Sequence, residues 1–105
     1  MPTSFFEGEW IRERYSGRLM LVVQERYTEG LAVLWYSNGK IVLSLIDDTD
    51  CVKVPYETVY ADLEDAFRLV SAPIMVCCEE SDAALQECAR KVVAAAKVRY
   101  FLHKR

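Results

Sequence analysis

Leu31-Ala-Val-Leu-Trp-Tyr-Ser37, then Asn38-Gly39, then Lys40-Ile-Val-Leu-Ser-Leu-Ile46: the reading of this stretch decides the fold. Two runs rich in β-branched and aromatic residues flank Asn-Gly. That dipeptide suits a two-residue type I′ turn, because both turn positions take φ > 0. Such a turn sets the register of both strands. Trp35 then faces Val42, Val33 faces Ser44 and Leu31 faces Ile46. On the opposite side Tyr36 meets Ile41, Leu34 meets Leu43 and Ala32 meets Leu45. A sheet with one wet face shows a polar residue at every second position. This hairpin shows almost none, so something must cover each side.

Upstream, Ser16-Gly17 and Thr28-Glu29-Gly30 divide the chain into segments of hairpin length. Strands are expected over residues 9–15, 18–27, 31–37 and 40–47, with a short fifth over 51–54. Pro55 follows that fifth strand and, lacking an N–H, marks it as an edge. The first segment supports two readings. Residues 9–15 suit a strand, whereas Ser4-Phe-Phe-Glu7 suits a capping box with Phe6, Trp10 and Tyr15 on one helix face. Gly8 weighs against the helix. The turn at 28–30 is open as well: a two-residue and a three-residue loop differ by one in register and place Leu21 and Val23 on different faces.

After Pro55 the hydrophobic period changes. Asp62 suits the N-cap of a helix running to about Ser71, with Leu63, Ala66, Phe67 and Val70 as its stripe. Ala72-Pro73 ends it. Ile74-Met-Val-Cys-Cys78 has the length of a buried strand. Ser81 is the natural N-cap of the longest helix, whose inward stripe is Leu85, Cys88, Ala89, Val92 and Ala96. The expected fold is therefore α+β, one domain over residues 1–105. A four- to five-stranded antiparallel meander is followed by a helix, a short strand and a long C-terminal helix, with both helices on one sheet face. Two helices of these lengths do not easily cover both faces. The second face is hidden by curling of the sheet, by a second copy of the chain, or by a different protein.

A chain of 105 residues with 52% hydrophobic and 28% charged residues suits a single compact domain with its own core. No apolar run approaches the ~18 residues that span a bilayer. The N-terminus lacks the basic-then-apolar pattern of a secretory signal, which favours a cytoplasmic protein. Charge is unevenly spread. Residues 1–46 balance five acids with five bases, residues 47–80 carry nine acids against Lys53 and Arg68, and residues 81–105 carry six bases against Asp82 and Glu87. Asp47, Asp48, Asp50, Asp62, Glu64 and Asp65 form a candidate acidic patch that would bias the approach of a basic partner. Nucleic acid is disfavoured as a partner by the acidic pI of about 5.1. Contact through the basic end would require Arg90, Lys97, Arg99 and Arg105 on one exposed face. Cys51, Cys77, Cys78 and Cys88 show no compact spacing and read as reduced core thiols.

Catalytic patterns are sparse. His103, the single histidine, is the third residue from the end, so a Cys–His or Ser–His pair would have to use it. Cys77 lacks an evident base. No CxxC or HxxxH pair occurs for zinc. Asp47-Asp48-Thr49-Asp50 lacks the glycine and final glutamate of an EF-hand, with Val52 and Thr58 in those places. No phosphate-binding glycine motif is present, and no cofactor is expected. The acids at 62, 64 and 65 fit the first turn of a helix.

Aromatic residues are the remaining lead. Tyr and Trp combine a large apolar body with one polar handle, which suits interfaces and pocket walls. An aromatic cage of the kind small Tudor or SH3 meanders use is one form this could take, although no further pattern of those families is present. The expected function is a small non-enzymatic protein-interaction module, homodimeric, binding through the sheet face around Val33, Trp35 and Val42. By size and charge it is comparable to inhibitor or immunity-type adaptors. The alternative is a binder of a small apolar ligand, or a small enzyme, with a pocket between sheet and C-terminal helix walled by Trp35, Tyr36 and Tyr60.

Overall fold

The computed structural model describes residues 5–26, 30–60, 64–72, 76–78 and 83–103. The central hairpin joins β3 (Gly30–Ser37) to β4 (Lys40–Ile46) through Asn38 and Gly39, whose φ values of 50° and 81° are those a type I′ turn demands. Trp35 pairs with Val42, Val33 with Ser44 and Leu31 with Ile46, in the register read from the sequence.

Before it, β2 (Leu19–Arg26) pairs with β3 from Arg26↔Gly30 onward, so three residues lie between the closing partners. A β-bulge between Val22 and Gln24 then shifts the ladder. Leu21 and Val23 face one core and Val22 the other, as strand alternation requires, and the bulge bends the strand. Gly30 is required where it stands. Its φ is +97°, and a Cβ there would lie 2.2 Å from the Ile46 carbonyl oxygen.

The first segment resolves as a strand, β1 (Trp10–Glu13), antiparallel to β2. Gly8, at φ +86°, sits in the turn before it and donates its N–H to the Val22 carbonyl, which excludes a helix through this point. A short β5 (Cys51–Lys53) pairs with the other side of β1 and forms an edge, as Pro55 implied. A short helix that the sequence reading did not expect precedes the expected one. A short α1 (Tyr56–Tyr60) starts at Pro55, whose carbonyl accepts the first N–H groups, and α2 (Glu64–Ser71) follows. The proposed cap Asp62 lies outside the described residues, as do Leu63 and Ser81. β6 (Val76–Cys78) joins parallel to β4, and α3 (Ala83–His103) ends the described chain. The strand order is β5-β1-β2-β3-β4-β6, with the first five antiparallel. The helical segment between β4 and β6 supplies the crossover that a parallel pair needs. Among the described residues no helix is long and apolar enough to cross a membrane.

The helices pack on one face. Leu34, Leu43, Leu69, Val93 and Tyr100 are among the residues of that core. Two sequence expectations about the helix stripes are corrected. In α2 the buried positions are Ala66, Leu69 and Val70, while Phe67 is 51% exposed. In α3 Cys88 is exposed, and Val93 and Tyr100 complete the inward stripe with Leu85, Ala89, Val92 and Ala96. Phe67 and Cys88 lie at the edges of the predicted stripes, and the buried stripes turn by well under the ~100° of one residue, toward Leu69 in α2 and toward Val93 and Tyr100 in α3.

The opposite face closes on itself. Ile11, Met20, Val22, Leu31 and Val33 are all fully buried there, packed with Phe5 and Cys51. The reason is geometric. A flat sheet would hold β4 and β5 four strand spacings apart, roughly 19 Å. Only residues 47–50 link them, and 48–50 form a 3-10 turn. A link of that kind spans about 14 Å, since a 3-10 residue rises only ~2 Å. The sheet therefore curls into a small, partly open barrel until the link reaches. The Asp50 carbonyl then accepts the Arg14 N–H at 2.7 Å, tying the link to the end of β1.

Candidate interaction surface

The structure separates the five residues singled out from the sequence. Val33 is fully buried inside the curled sheet, so it is a core residue of one copy and offers no contact surface. Trp35 and Val42 sit half-buried at the margin of the same face, and Trp35 packs against that core. Tyr36 packs against the helix-side core instead. Trp35 and Tyr36 thus contribute to opposite sides of the sheet and do not wall a common cavity. Tyr60 belongs to α1, and its side chain lies outside the described residues. The Arg18 guanidinium stacks 4.7 Å from the Trp35 ring centroid, so a cation of the chain itself already covers one indole surface.

The acidic residues serve local structure. Asp47 Oδ1 accepts from the Thr49 N–H at 3.0 Å and from the Thr49 hydroxyl at 2.9 Å, which fixes the turn that crosses from β4 to β5. Glu64 and Asp65 open α2, where the helix dipole favours them, and Glu64 pairs with Arg68 one turn on. Asp62 and the side chain of Asp48 lie outside the described residues. Among the described residues no group of three His, Cys, Asp or Glu side chains is placed to hold a metal ion. The side chains of Cys77, Cys78 and His103 are likewise outside them. Cys51 is buried, its thiol donating to the Asp47 carbonyl at 3.6 Å, and Cys88 is exposed.

A second aromatic corner straps the N-terminal turn to the sheet edge. The Lys53 ammonium lies 5.7 Å from the Phe5 ring, 5.3 Å from the Phe6 ring and 3.3 Å from the Glu9 carboxylate. Glu9 Oε1 also accepts the Phe6 N–H at 2.7 Å. These contacts hold Phe5 over the inner core and leave Phe6 outside. Between this turn and α3 runs a groove of about 110 Å³, lined by Glu7, Gly8, Val92, Ala95, Ala96 and Arg99. Pockets that enclose small molecules measure ~300–1,000 Å³, so the groove is too small for that role. Arg99 lines it, while Arg90 and Lys97 fall roughly 180° away around the helix. These bases do not form one basic face.

The outer side of α3 is the unexpected feature. A helix on a sheet usually shows the solvent a polar face. Here Val98 is 60% and Leu102 58% exposed, Phe101 is 40% exposed, and Ala94 and Ala95 lie beside them. Phe67 of α2 continues the surface, its ring centroid 6.5 Å from those of Tyr100 and Phe101. Tyr100 turns inward and anchors the cluster edge-on to Phe101 at 5.5 Å. Burial pushes its phenol pKa above the usual 10.0. The sequence carried a signal for this ridge. With Leu85, Ala89, Val92, Ala96 and Tyr100 assigned inward, Val98, Phe101 and Leu102 have no place in the domain's own core.

Comparisons with protein-family models, with curated proteins and with solved structures return no match to this chain.

Proposed function

We propose that this chain is a small protein-interaction module that works by apolar contact and carries out no chemistry of its own. Its working surface is the ridge of Val98, Phe101 and Leu102 on α3 together with Phe67 on α2. One observation carries this reading: from Ala94 to Leu102 α3 is apolar on both sides, and only one of those sides packs into the domain's core. Four large side chains left roughly half open expose on the order of 400 Å² of apolar surface, the scale at which a patch marks a binding site. The driving term is removal of that surface from water, at ~25 cal/mol per Å². The half-buried margin at Trp35 and Val42 is a lesser surface, because Arg18 already screens the indole.

A photo-activated crosslinker placed at position 98 tests the reading in the cells that make the protein. Position 15 is the control, because Tyr15 is 84% exposed but stands away from the ridge. The expected result is discrete protein adducts from position 98 and none from position 15. Equal yields from both positions, or none from either, would refute it.

A further inference from the structure

We infer that the α3 ridge takes an amphipathic helix of another protein, one whose apolar stripe is bordered by acidic residues. The inference rests on the reading of the ridge as an interaction surface and adds the chemistry of the partner. The whole chain is acidic, with a net charge of −3, yet α3 carries Arg90, Lys91, Lys97 and Arg99 against Glu87 alone. These bases surround the ridge. Around the helix, Lys97 and Arg99 fall roughly 100° to either side of Val98, Arg90 shares the flank of Lys97, and Lys91 stands two turns before Val98 on the same side. The stripe between them, made of Ala94, Ala95, Val98, Phe101 and Leu102, carries no charge. Glu87 pairs with Arg90 at 3.6 Å, and among the described residues no carboxylate pairs with Lys91 or Lys97. A partner helix that covers the stripe brings its own flanks beside these lysines. Flanking charges select the partner of a coiled coil in the same way. Acids in those places are attracted and bases are repelled.

The size of the ridge fits such a partner. A patch of roughly 400 Å² buries about 800 Å² in total once it is covered, below the ~1,200 Å² at which stable interfaces begin. Contacts of that size are transient, and charge complementarity sets much of their rate and selectivity. Other occupants fit the charge less well. A second copy would set the bases of α3 beside their own like. An anionic bilayer is flat, so contact through Val98 and Phe67 together would also bring up exposed Glu64, one turn before Phe67 on α2. A helix is only ~10–12 Å wide. It can lie along α3 with Phe67 at its margin and leave the acidic start of α2 outside the contact. The small side chains of Ala94 and Ala95 leave room for its large ones beside Phe101 and Leu102.

The test is a displayed library of helical peptides, with leucine fixed at helical spacing and every other position randomised, selected on the immobilised full chain. Binders are expected to be enriched in Asp and Glu at the positions that flank the leucines. A double variant, Lys91→Glu with Lys97→Glu, should turn that enrichment toward Lys and Arg. It should also bind the peptides selected on the wild type at least about tenfold more weakly. Val98→Asp should abolish their binding, as for a central contact residue. Both variants should keep the far-ultraviolet circular dichroism spectrum of the wild type. An enrichment in acids that the double variant leaves unchanged overturns the inference. Binders with neutral or basic flanks that Val98→Asp abolishes also overturn it, but leave the interaction reading standing. A library that yields no binder overturns it too, and discrete adducts at position 98 would then still uphold the interaction reading. Phosphatidylglycerol vesicles and sedimentation equilibrium check the other occupants, and the full chain is expected to stay off the vesicles and to remain monomeric. Vesicle binding or a dimer that Val98→Asp abolishes would give the ridge to lipid or to a second copy, and either overturns the acidic helix.

Discussion

The inner face of the sheet and the outer face of α3 are both apolar, yet they have opposite fates. The sheet face is sealed within one copy, with Val22, Leu31 and Val33 fully buried. The helix face stands open at Val98, Phe101 and Leu102. The difference lies in how each element bends. A sheet with a bulge and a short cross-link curls round its own side chains until they fill the interior. A helix is stiff, and its two sides stay half a turn apart. Whatever is apolar on both sides of such a helix needs two partners, and the domain supplies one.

This contrast can be broken from the sheet side first. The largest effect is expected at Gly30, where any Cβ meets the Ile46 carbonyl oxygen and the φ is one that L side chains avoid. Gly30→Ala should cost about 3 kcal/mol or more, read as a lowered urea midpoint, because the two faults act together. A value below about 1 kcal/mol would mean that the close approach of β3 to the β4–β5 link does not hold the curl. Next is Phe5, 3% exposed and part of the inner core. Phe5→Ala should cost about 3 kcal/mol, whereas Phe6→Ala, one residue on and 64% exposed, should cost less than about 0.5 kcal/mol. Similar losses from both would show that Phe5 does not seal the face.

The smallest effect belongs to the anchor between the two regions. Tyr100 is buried beneath Phe67 and Phe101, and its phenol pKa is raised by desolvation. The native state therefore holds this proton to higher pH than the unfolded chain does. The associated stability is complete below pH 10.0, the unperturbed value, and is lost as pH rises through the raised native value. Tyr100→Phe should flatten that alkaline loss, as measured by thermal melts on either side of pH 10. An unchanged alkaline limb would assign the loss to other groups.

Local chemistry made part of this legible in the sequence. Asn38-Gly39 specifies both the turn and the pairing of every residue from Leu31 to Ile46, because a type I′ turn leaves no freedom of register. Pro55 marked an edge strand because it lacks a donor. What escaped depends on contacts distant in sequence. Nothing near Val23 announces a bulge, and nothing in Ile74-Met-Val-Cys-Cys78 says that the strand lies parallel to β4. The curl follows from a four-residue link only once β5 is known to pair with β1. Without that pairing, Val33 reads as docking surface when it is core. Phe67 and Cys88 were misplaced because they stand at the edges of stripes that the tertiary packing turns by less than one residue, toward Leu69 in α2 and toward Val93 and Tyr100 in α3. The ridge itself was present in the pattern as Val98, Phe101 and Leu102, left over once the inward stripe of α3 is complete.

The most direct test sets one residue from each region side by side. Val33→Asp and Val98→Asp introduce the same charge into two apolar faces, and urea unfolding at a concentration too low for association reads both in single copies. The account predicts that Val33→Asp abolishes folding or costs more than about 4 kcal/mol, since it buries an unpaired carboxylate. Val98→Asp should stay within about 0.5 kcal/mol of the wild type, as an exposed substitution does. Equal tolerance of both changes would contradict the sealed sheet, and equal damage from both would contradict the open helix.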